Sequence, residues 1–397
     1  MTGPVTMLDG MAAAALAGLE AAHRRRAARA LARDGVMLTL PDGRVLVDMA
    51  SNDYLGLAHD PRVMARAADF AARYGAGSGA SRLVCGTLPI HRAVEEKLAA
   101  FLGTEAALLL GTGFQANATL LPALAELMGP GAELLVDRLA HASLLQGSFG
   151  QGIKARRFRH NDLNHLEELL RRGDRSLVVT ETVFSMDGDR CDLPALLDLC
   201  DRFNAPLYLD EAHAIGALGP GGRGLAAGTP GRVALTMGTL GKAFGGFGAY
   251  VAGSRLLIDY LVNRCGGFIY TTAPPPAVVG ALDAALDLMP ALESDRDRLS
   301  AYGDQVRAAV TAAGYDVLDS TTQIIPLVAG TDADALALAA RLEAAGFLVV
   351  AIRPPTVPPG TARLRISLSS ALSADQVAGL VAAIATLPPG PLAQRGA

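Results

Sequence analysis

Between residues 106 and 251, short apolar runs rich in branched residues alternate with amphipathic stretches, and no other feature limits the fold as strongly. Runs at Ala106–Leu110, Glu133–Val136, Leu177–Thr180, Leu207–Leu209, Ala234–Met237 and Gly248–Val251 have the length of strands. Between several of them lie helix-like segments, such as Leu163–Arg171 and Pro194–Phe203. Strands that are apolar on both faces must be covered on both, so the pattern predicts an α/β unit with a mostly parallel central sheet. Ligands of such sheets gather beyond the carboxyl ends of the strands. After Pro274-Pro275-Pro276 a long helical pattern is expected to about Ala313. Apolar runs at Ile325–Val328, Phe347–Ile352 and Leu364–Leu368, with a helix near Ala333–Ala345, then predict a smaller α+β unit. The expected division is an N-terminal arm (1–50), a large domain (51–285) and a small C-terminal domain (286–397).

The remaining composition narrows the class. A net charge of −4 with no long basic run argues against nucleic-acid binding, and His23-Arg24-Arg25-Arg26 is too short to reverse that. The four cysteines form no CxxC pair, so free thiols in a reducing compartment are expected, with neither a disulfide framework nor a zinc or other metal site. No apolar run reaches the length of a membrane span, and the Ala-rich stretch 11–22 is interrupted by Glu20. A cytoplasmic protein without membrane association is expected.

Of 35 basic residues only Lys97, Lys154 and Lys242 are lysines. Where arginine serves for ordinary positive charge, a retained lysine can supply what arginine cannot: an amine that loses its proton and forms a Schiff base. Lys97 fits a solvated helix face and Lys154 has no special setting, whereas Lys242 lies in Thr239-Leu240-Gly241-Lys242-Ala243-Phe244-Gly245-Gly246. This stretch resembles the end of a P-loop, but Ala243 and Thr236 stand where that motif needs a hydroxyl residue and a glycine. Gly111-Thr112-Gly113-Phe114-Gln115-Ala116 follows an apolar strand and opens a helix, so its N–H groups suit a phosphate. It also satisfies the loose dinucleotide pattern, leaving a nicotinamide-dependent oxidoreductase as an alternative. Gly75–Ser81 is expected to be a turn. Asp210, at the end of an apolar strand in Tyr208-Leu209-Asp210-Glu211-Ala212-His213, completes the set. An amine, a carboxylate and a phosphate cradle are the parts that hold pyridoxal phosphate: aldehyde anchor, ring-nitrogen partner and phosphate site.

Residues from about Ser51 to Ser370 resemble the α-oxoamine synthase family, pyridoxal-phosphate enzymes of the aspartate-aminotransferase fold (fold type I). The matching stretches are Ser51–Leu57, Asp137–Ser143, Val183–Asp189, Asp210–His213, Thr239–Lys242 and Ile269–Thr272. The resemblance implies that His141 stacks on the cofactor ring, Asp210 pairs with its nitrogen, and His213 and Ser185 address its phenolic oxygen. It implies phosphate contacts from Gly113, Phe114 and Thr239, and an obligate homodimer in which Thr271 and Thr272 reach the partner's phosphate. Asn52 and Glu181 match positions that line the site, and Arg365 matches the arginine that grips the amino-acid carboxylate, in preference to Arg363. Lys242 would be both anchor and general base.

Within the family, residues 351–365 are most similar to members that join L-alanine to a pimeloyl thioester such as pimeloyl-CoA. Members with other acyl and amino-acid substrates are the alternative. Arg353 is expected to meet the acidic acyl chain, with a structural role as the competing reading. Gly241 departs from the serine of many relatives, and the N-terminal arm matches poorly. The arm's substrate arginine is therefore open among Arg24, Arg26 and Arg29, with Arg26 taken as the candidate.

Overall fold

The computed structural model describes residues 4–150, 152–173, 175–229 and 231–392. They form two compact units. One comprises Asn52–Ala301 with Ser369–Ala371; the other combines the described residues before Asn52 with Tyr302–Leu368 and those from Leu372 onward. The division falls after Ala301 rather than near residue 285, and the N-terminal arm is not a separate body.

The arm begins with the helix Pro4–Ala21 and continues into three short strands, β1 (Ala32–Asp34), β2 (Met37–Thr39) and β3 (Val45–Asp48), paired antiparallel in that order. Among the described residues, no helix is long and apolar enough to cross a membrane.

The large unit is built on seven strands: β4 (Ala106–Leu110), β5 (Glu133–Asp137), β6 (Lys154–Phe158), β7 (Ser176–Glu181), β8 (Leu207–Asp210), β9 (Leu235–Thr239) and β10 (Ala249–Gly253). Their order is β4-β10-β9-β8-β7-β5-β6, and only β10 runs against the others. Every residue of β4, β5, β7 and β8 is buried, which is why these strands read as continuous apolar runs. The unexpected strand is β6, Lys154-Ala155-Arg156-Arg157-Phe158, which is half-exposed at one sheet edge, whereas β4 at the other edge is covered. Core side chains of Leu120, Leu121, Val136, Leu144, Val179 and Tyr208 pack one face; Leu166, Leu170, Leu196, Val178 and Leu209 pack the other.

The long helical pattern after the prolines is two helices, Pro276–Leu288 and Glu293–Ala312, separated by a 3-10 turn at Met289–Ala291. Pro290 explains the break, since it has no N–H to continue the ladder. The small unit then adds β11 (Ile324–Gly330), β12 (Phe347–Leu348), β13 (Val350–Ile352) and β14 (Ala362–Ser367), with the helix Asp332–Ala344. The apolar run 347–352 is split between two sheets: β12 joins β3 in parallel, while β13 joins the antiparallel sheet β11-β14-β13. Pairing of Phe347 with Val47 is what unites the arm with the C-terminal part of the chain.

Two charge clusters differ sharply in burial. Arg82 and Glu95 form a bidentate pair at 2.8 and 2.9 Å with side chains only 2% and 4% exposed, and Glu95 also accepts from the Leu109 backbone. Lys97, expected on a solvated face, instead bonds Asp283 and Asp287 while remaining about a third exposed. The Gly75–Ser81 segment is anchored, with Ser78 donating to the Pro274 carbonyl and Ser81 bridging to Thr272. Arg82→Met should cost about 3–5 kcal/mol, because it strands a buried carboxylate. Lys97→Met should cost under about 1 kcal/mol. Urea unfolding of both variants checks the contrast, and equal losses would contradict it.

Candidate active site

The parallel strands of the large unit deliver a site residue at or just past the carboxyl end. Gly113 follows β4, His141 follows β5 and Ser185 follows β7; Asp210 closes β8, and Thr239 closes β9 three residues before Lys242. This is where a doubly covered sheet leaves room for a ligand.

Asp210 is almost fully buried, and both carboxyl oxygens are held. Its Oδ1 accepts from the Ala212 backbone N–H at 2.8 Å, and its Oδ2 accepts from Asn117 Nδ2 at 2.8 Å. Asn117 is itself buried on the helix Gly113–Met128; its Nδ2 also donates to Ser143 Oγ at 2.9 Å, and its Oδ1 accepts from the Tyr208 hydroxyl at 2.7 Å. The chain of contacts ends at His141, whose Nδ1 lies 2.7 Å from Ser143 Oγ and accepts from the Ser143 N–H at 3.2 Å. A nitrogen that accepts an N–H carries no proton, so the hydrogen-bond pattern assigns the His141 proton to Nε2. Burial pulls the His141 pKa below its ordinary value, Asp210 opposes this and Lys242 adds to it. The backbone N–H of His141 donates to Glu181 Oε1 at 2.6 Å. Burial, then the nearby Asp210 carboxyl, push Glu181 well above the usual carboxyl range.

Lys242 Nζ is 3.1 Å from His213 Nε2. On the other side of that ring, Nδ1 is 2.6 Å from the buried Tyr54 hydroxyl, which donates to Asn52 Oδ1 at 3.1 Å. With the Tyr54 proton directed to Asn52, His213 donates from Nδ1 and leaves Nε2 to accept from the lysine.

The helix Gly113–Met128 is capped by Thr112, whose hydroxyl accepts from the Gln115 N–H. The first N–H groups of a helix lack intrahelical partners and suit an anion. A Cβ on Gly113 would collide with Thr239 Cγ2, so the glycine is what lets Thr239 close on this helix end. Phe114 is half-exposed, and Ser185 is buried in the loop closed by the Val183–Arg190 bridge. Thr271 accepts from Gln115 Nε2 at 2.6 Å in its own chain, whereas Thr272 pairs through its backbone with Ser81. An amine, a held carboxyl group, a flat neutral imidazole and a glycine-opened helix end with a hydroxyl beside it fit pyridoxal phosphate.

Three substrate candidates lie in the small unit. Arg365 is buried on β14, paired with Val350 and Pro326. Arg353 donates to the His23 carbonyl, and Arg26 donates to Thr356 Oγ1 at 3.2 Å, so segments 23–26 and 353–356 are neighbours. Arg24 and Arg29 are instead neutralised by Asp332 and Glu343.

Asn117, Ser143 and Tyr54 were not singled out by sequence. A lone amide in the apolar helix stretch Ala116–Leu124 was the available signal for Asn117.

The Aminotransferase class I and II family model matches residues 44–384. A putative 8-amino-7-oxononanoate synthase of Bordetella bronchiseptica is 55% identical over 388 residues, covering 96% of this chain and 97% of the relative. The 8-amino-7-oxononanoate synthase of Gluconacetobacter diazotrophicus is 52% identical over 388 residues, with coverage of 96% and 97%. A solved structure of SPT with a PLP internal aldimine superposes with a TM-score of 0.88 at 26% identity, covering 97% of this chain and 98% of that one.

Ring-labelled 15N NMR at pH 7 should find His141 neutral with its proton on Nε2; an imidazolium would contradict the network. Because folding favours the neutral ring, His141 contributes stability that is present above about pH 6.5 and lost as the pH falls below it.

Proposed function

The chain belongs to the class I and II aminotransferase family, and from that premise we propose that it condenses L-alanine with a pimeloyl thioester to form 8-amino-7-oxononanoate. The Cα–H bond breaks and a C–C bond forms between alanine Cα and the thioester carbonyl carbon as the thiol of CoA leaves; the original alanine carboxylate then departs as CO2, and Cα takes up a proton in its place. This is a step of biotin synthesis.

Bound pyridoxal 5′-phosphate supplies a carbonyl that captures the amino-acid nitrogen and a ring that draws electrons from Cα. The chain's own residues do the rest. Lys242 anchors the cofactor and, once alanine has displaced it, accepts the Cα proton on Nζ. His213, 3.1 Å away, accepts a hydrogen bond from that amine and so orients it. This contact, in the same site as the doubly held Asp210, is the observation that carries the proposal. Asp210, with both oxygens held, would pair with the ring nitrogen and keep it protonated. A neutral His141 covers the ring face without adding a second cation. Gly113, Phe114 and Thr239 hold the phosphate, while Ser185 joins His213 at the phenolic oxygen.

Arg365 takes the alanine carboxylate, the role of the family arginine it matches. Arg26 and Arg353 take the distal carboxylate of the pimeloyl chain. Their environment supports this choice, because no carboxylate lies within ion-pair range of either among the described residues. In a homodimer, the partner subunit's Thr271 and Thr272 complete the phosphate site. Exposed Phe114, Phe247 and Tyr270 rings support such an interface, as apolar surface of this kind is normally covered.

Borohydride reduction of the protein with pyridoxal phosphate should leave a pyridoxyl mark on the Lys242 peptide. Lys242→Arg should fold, lose the mark and lose activity by at least about 10²–10⁴-fold. A mark elsewhere with Lys242 clean would overturn the assignment. Arg353→Ala should raise KM for pimeloyl-CoA by about 10–100-fold, the cost of a lost charged hydrogen bond, and leave KM for alanine unchanged. Steady-state kinetics with each substrate varied in turn checks this.

A further inference from the structure

We infer that His160 is a positioning residue, which ties the turn carrying His141 to the loop carrying Ser185. The inference rests on the proposed function for what those two residues do. His160 lies just past the carboxyl end of β6, an edge strand, and its partners are Asp137, the last residue of β5, and Asp189, in the loop past β7. Its Nδ1 is 3.0 Å from Asp137 Oδ1, and its Nε2 is 2.8 Å from Asp189 Oδ2.

Each carboxylate organises a separate piece of the site. Asp137 accepts from the Leu139 N–H at 2.8 Å and the Asn161 N–H at 2.9 Å, and its carbonyl accepts from Ala140 N at 3.1 Å. These bonds shape the turn that ends at His141. Asp189 accepts from Asn161 Nδ2 at 2.9 Å, and its carbonyl accepts from Phe184 N at 3.0 Å. Gly188 N donates in turn to the Phe184 carbonyl at 2.9 Å, closing the loop around Ser185. The His160 ring also stands perpendicular to the Phe184 ring, with centroids 4.4 Å apart. One imidazole therefore joins the loops that follow three adjacent parallel strands.

Carboxylates accept hydrogen bonds and do not donate them, so both ring nitrogens must donate and the ring is an imidazolium. Asp137 is fully buried and Asp189 nearly so, and Asp189 Oδ1 has no hydrogen-bond partner among the described residues. Burial works against the charged ring, yet the hydrogen bonds it donates to Asp137 and Asp189 hold its pKa up to about 10.

The test uses the full chain loaded with pyridoxal phosphate and three variants: His160→Phe, which keeps a flat ring but removes both donors, His160→Gln, which restores one, and Asp189→Asn, which keeps an acceptor for Nε2 but removes a charge. The readouts are kcat, KM for each substrate, melting temperature and visible circular dichroism of the bound cofactor. His160→Phe should lower kcat by about 10–100-fold, the usual cost of losing an orienting outer group, and alter the dichroism with little change in either KM. His160→Gln should recover part of both signals. A His160→Phe protein that melts earlier but keeps wild-type kcat and dichroism would make His160 merely structural and overturn the inference. If His160→Phe does not fold, Asp189→Asn decides, and unchanged kcat and dichroism in that variant overturn it. If the wild type binds no cofactor, the functional proposal fails separately. 15N NMR of the cofactor-free chain then still tests the clamp: two protonated ring nitrogens at pH 8 support it, and one protonated nitrogen refutes it.

Discussion

A carboxyl group withdrawn from water is costly unless donors meet it, and the whole site depends on how Asp210 is held. One donor is local, the Ala212 N–H. The other, Asn117, comes from a helix that starts at Gly113, one turn earlier. Residues four apart share a helix face, so the end that suits a phosphate and the amide that fixes Asp210 belong to one rigid element. The spacing between anion site and carboxyl group is therefore built into a helix turn rather than left to loops. Because Asn117 also grips Ser143, the same amide sets the His141 tautomer. Removing it would take a partner from two buried groups, Asp210 Oδ2 and the Tyr208 hydroxyl, at a cost of about 1–3 kcal/mol each.

The two ionisable networks around the site do different jobs. Around Asp210, each oxygen accepts from one neutral donor, the Ala212 N–H or Asn117 Nδ2, which holds the carboxyl group in one orientation. Around Asp137 and Asp189 a cationic ring bridges two carboxylates and holds loops together. Lys242 and His213 form the third element, an amine beside an imidazole acceptor whose far side is fixed by Tyr54. Preorganisation of this kind leaves little to rearrange when a substrate proton moves.

How much of this was legible in sequence follows burial. Strands β4, β5, β7, β8, β9 and β10 were found within about two residues because sheet strands covered on both faces must be apolar. Edge strand β6 escaped, since exposure permits its lysine and arginines. The break at Met289–Ala291 was hidden inside an amphipathic pattern, although Pro290 marked it. The union of β3 with β12 was not legible at all, because a pairing between the two ends of a chain leaves no local trace. In the site, Lys242 and Asp210 stood out by scarcity and by position at a strand end. Asn117 and His160 did not, because each matters through partners on other strands and helices, and a single sequence does not show who those partners are.

The central claim is that this arrangement serves a decarboxylative condensation with a defined pair of substrates. The most direct measurement is release of CoA and CO2 by the purified protein, with alanine, glycine and serine each paired with pimeloyl-, succinyl-, acetyl- and palmitoyl-CoA. The account predicts equimolar CoA and CO2 with alanine and pimeloyl-CoA, and rates lower by at least about tenfold for every other pair. No release with that pair, or a faster rate with a different thioester, would contradict it.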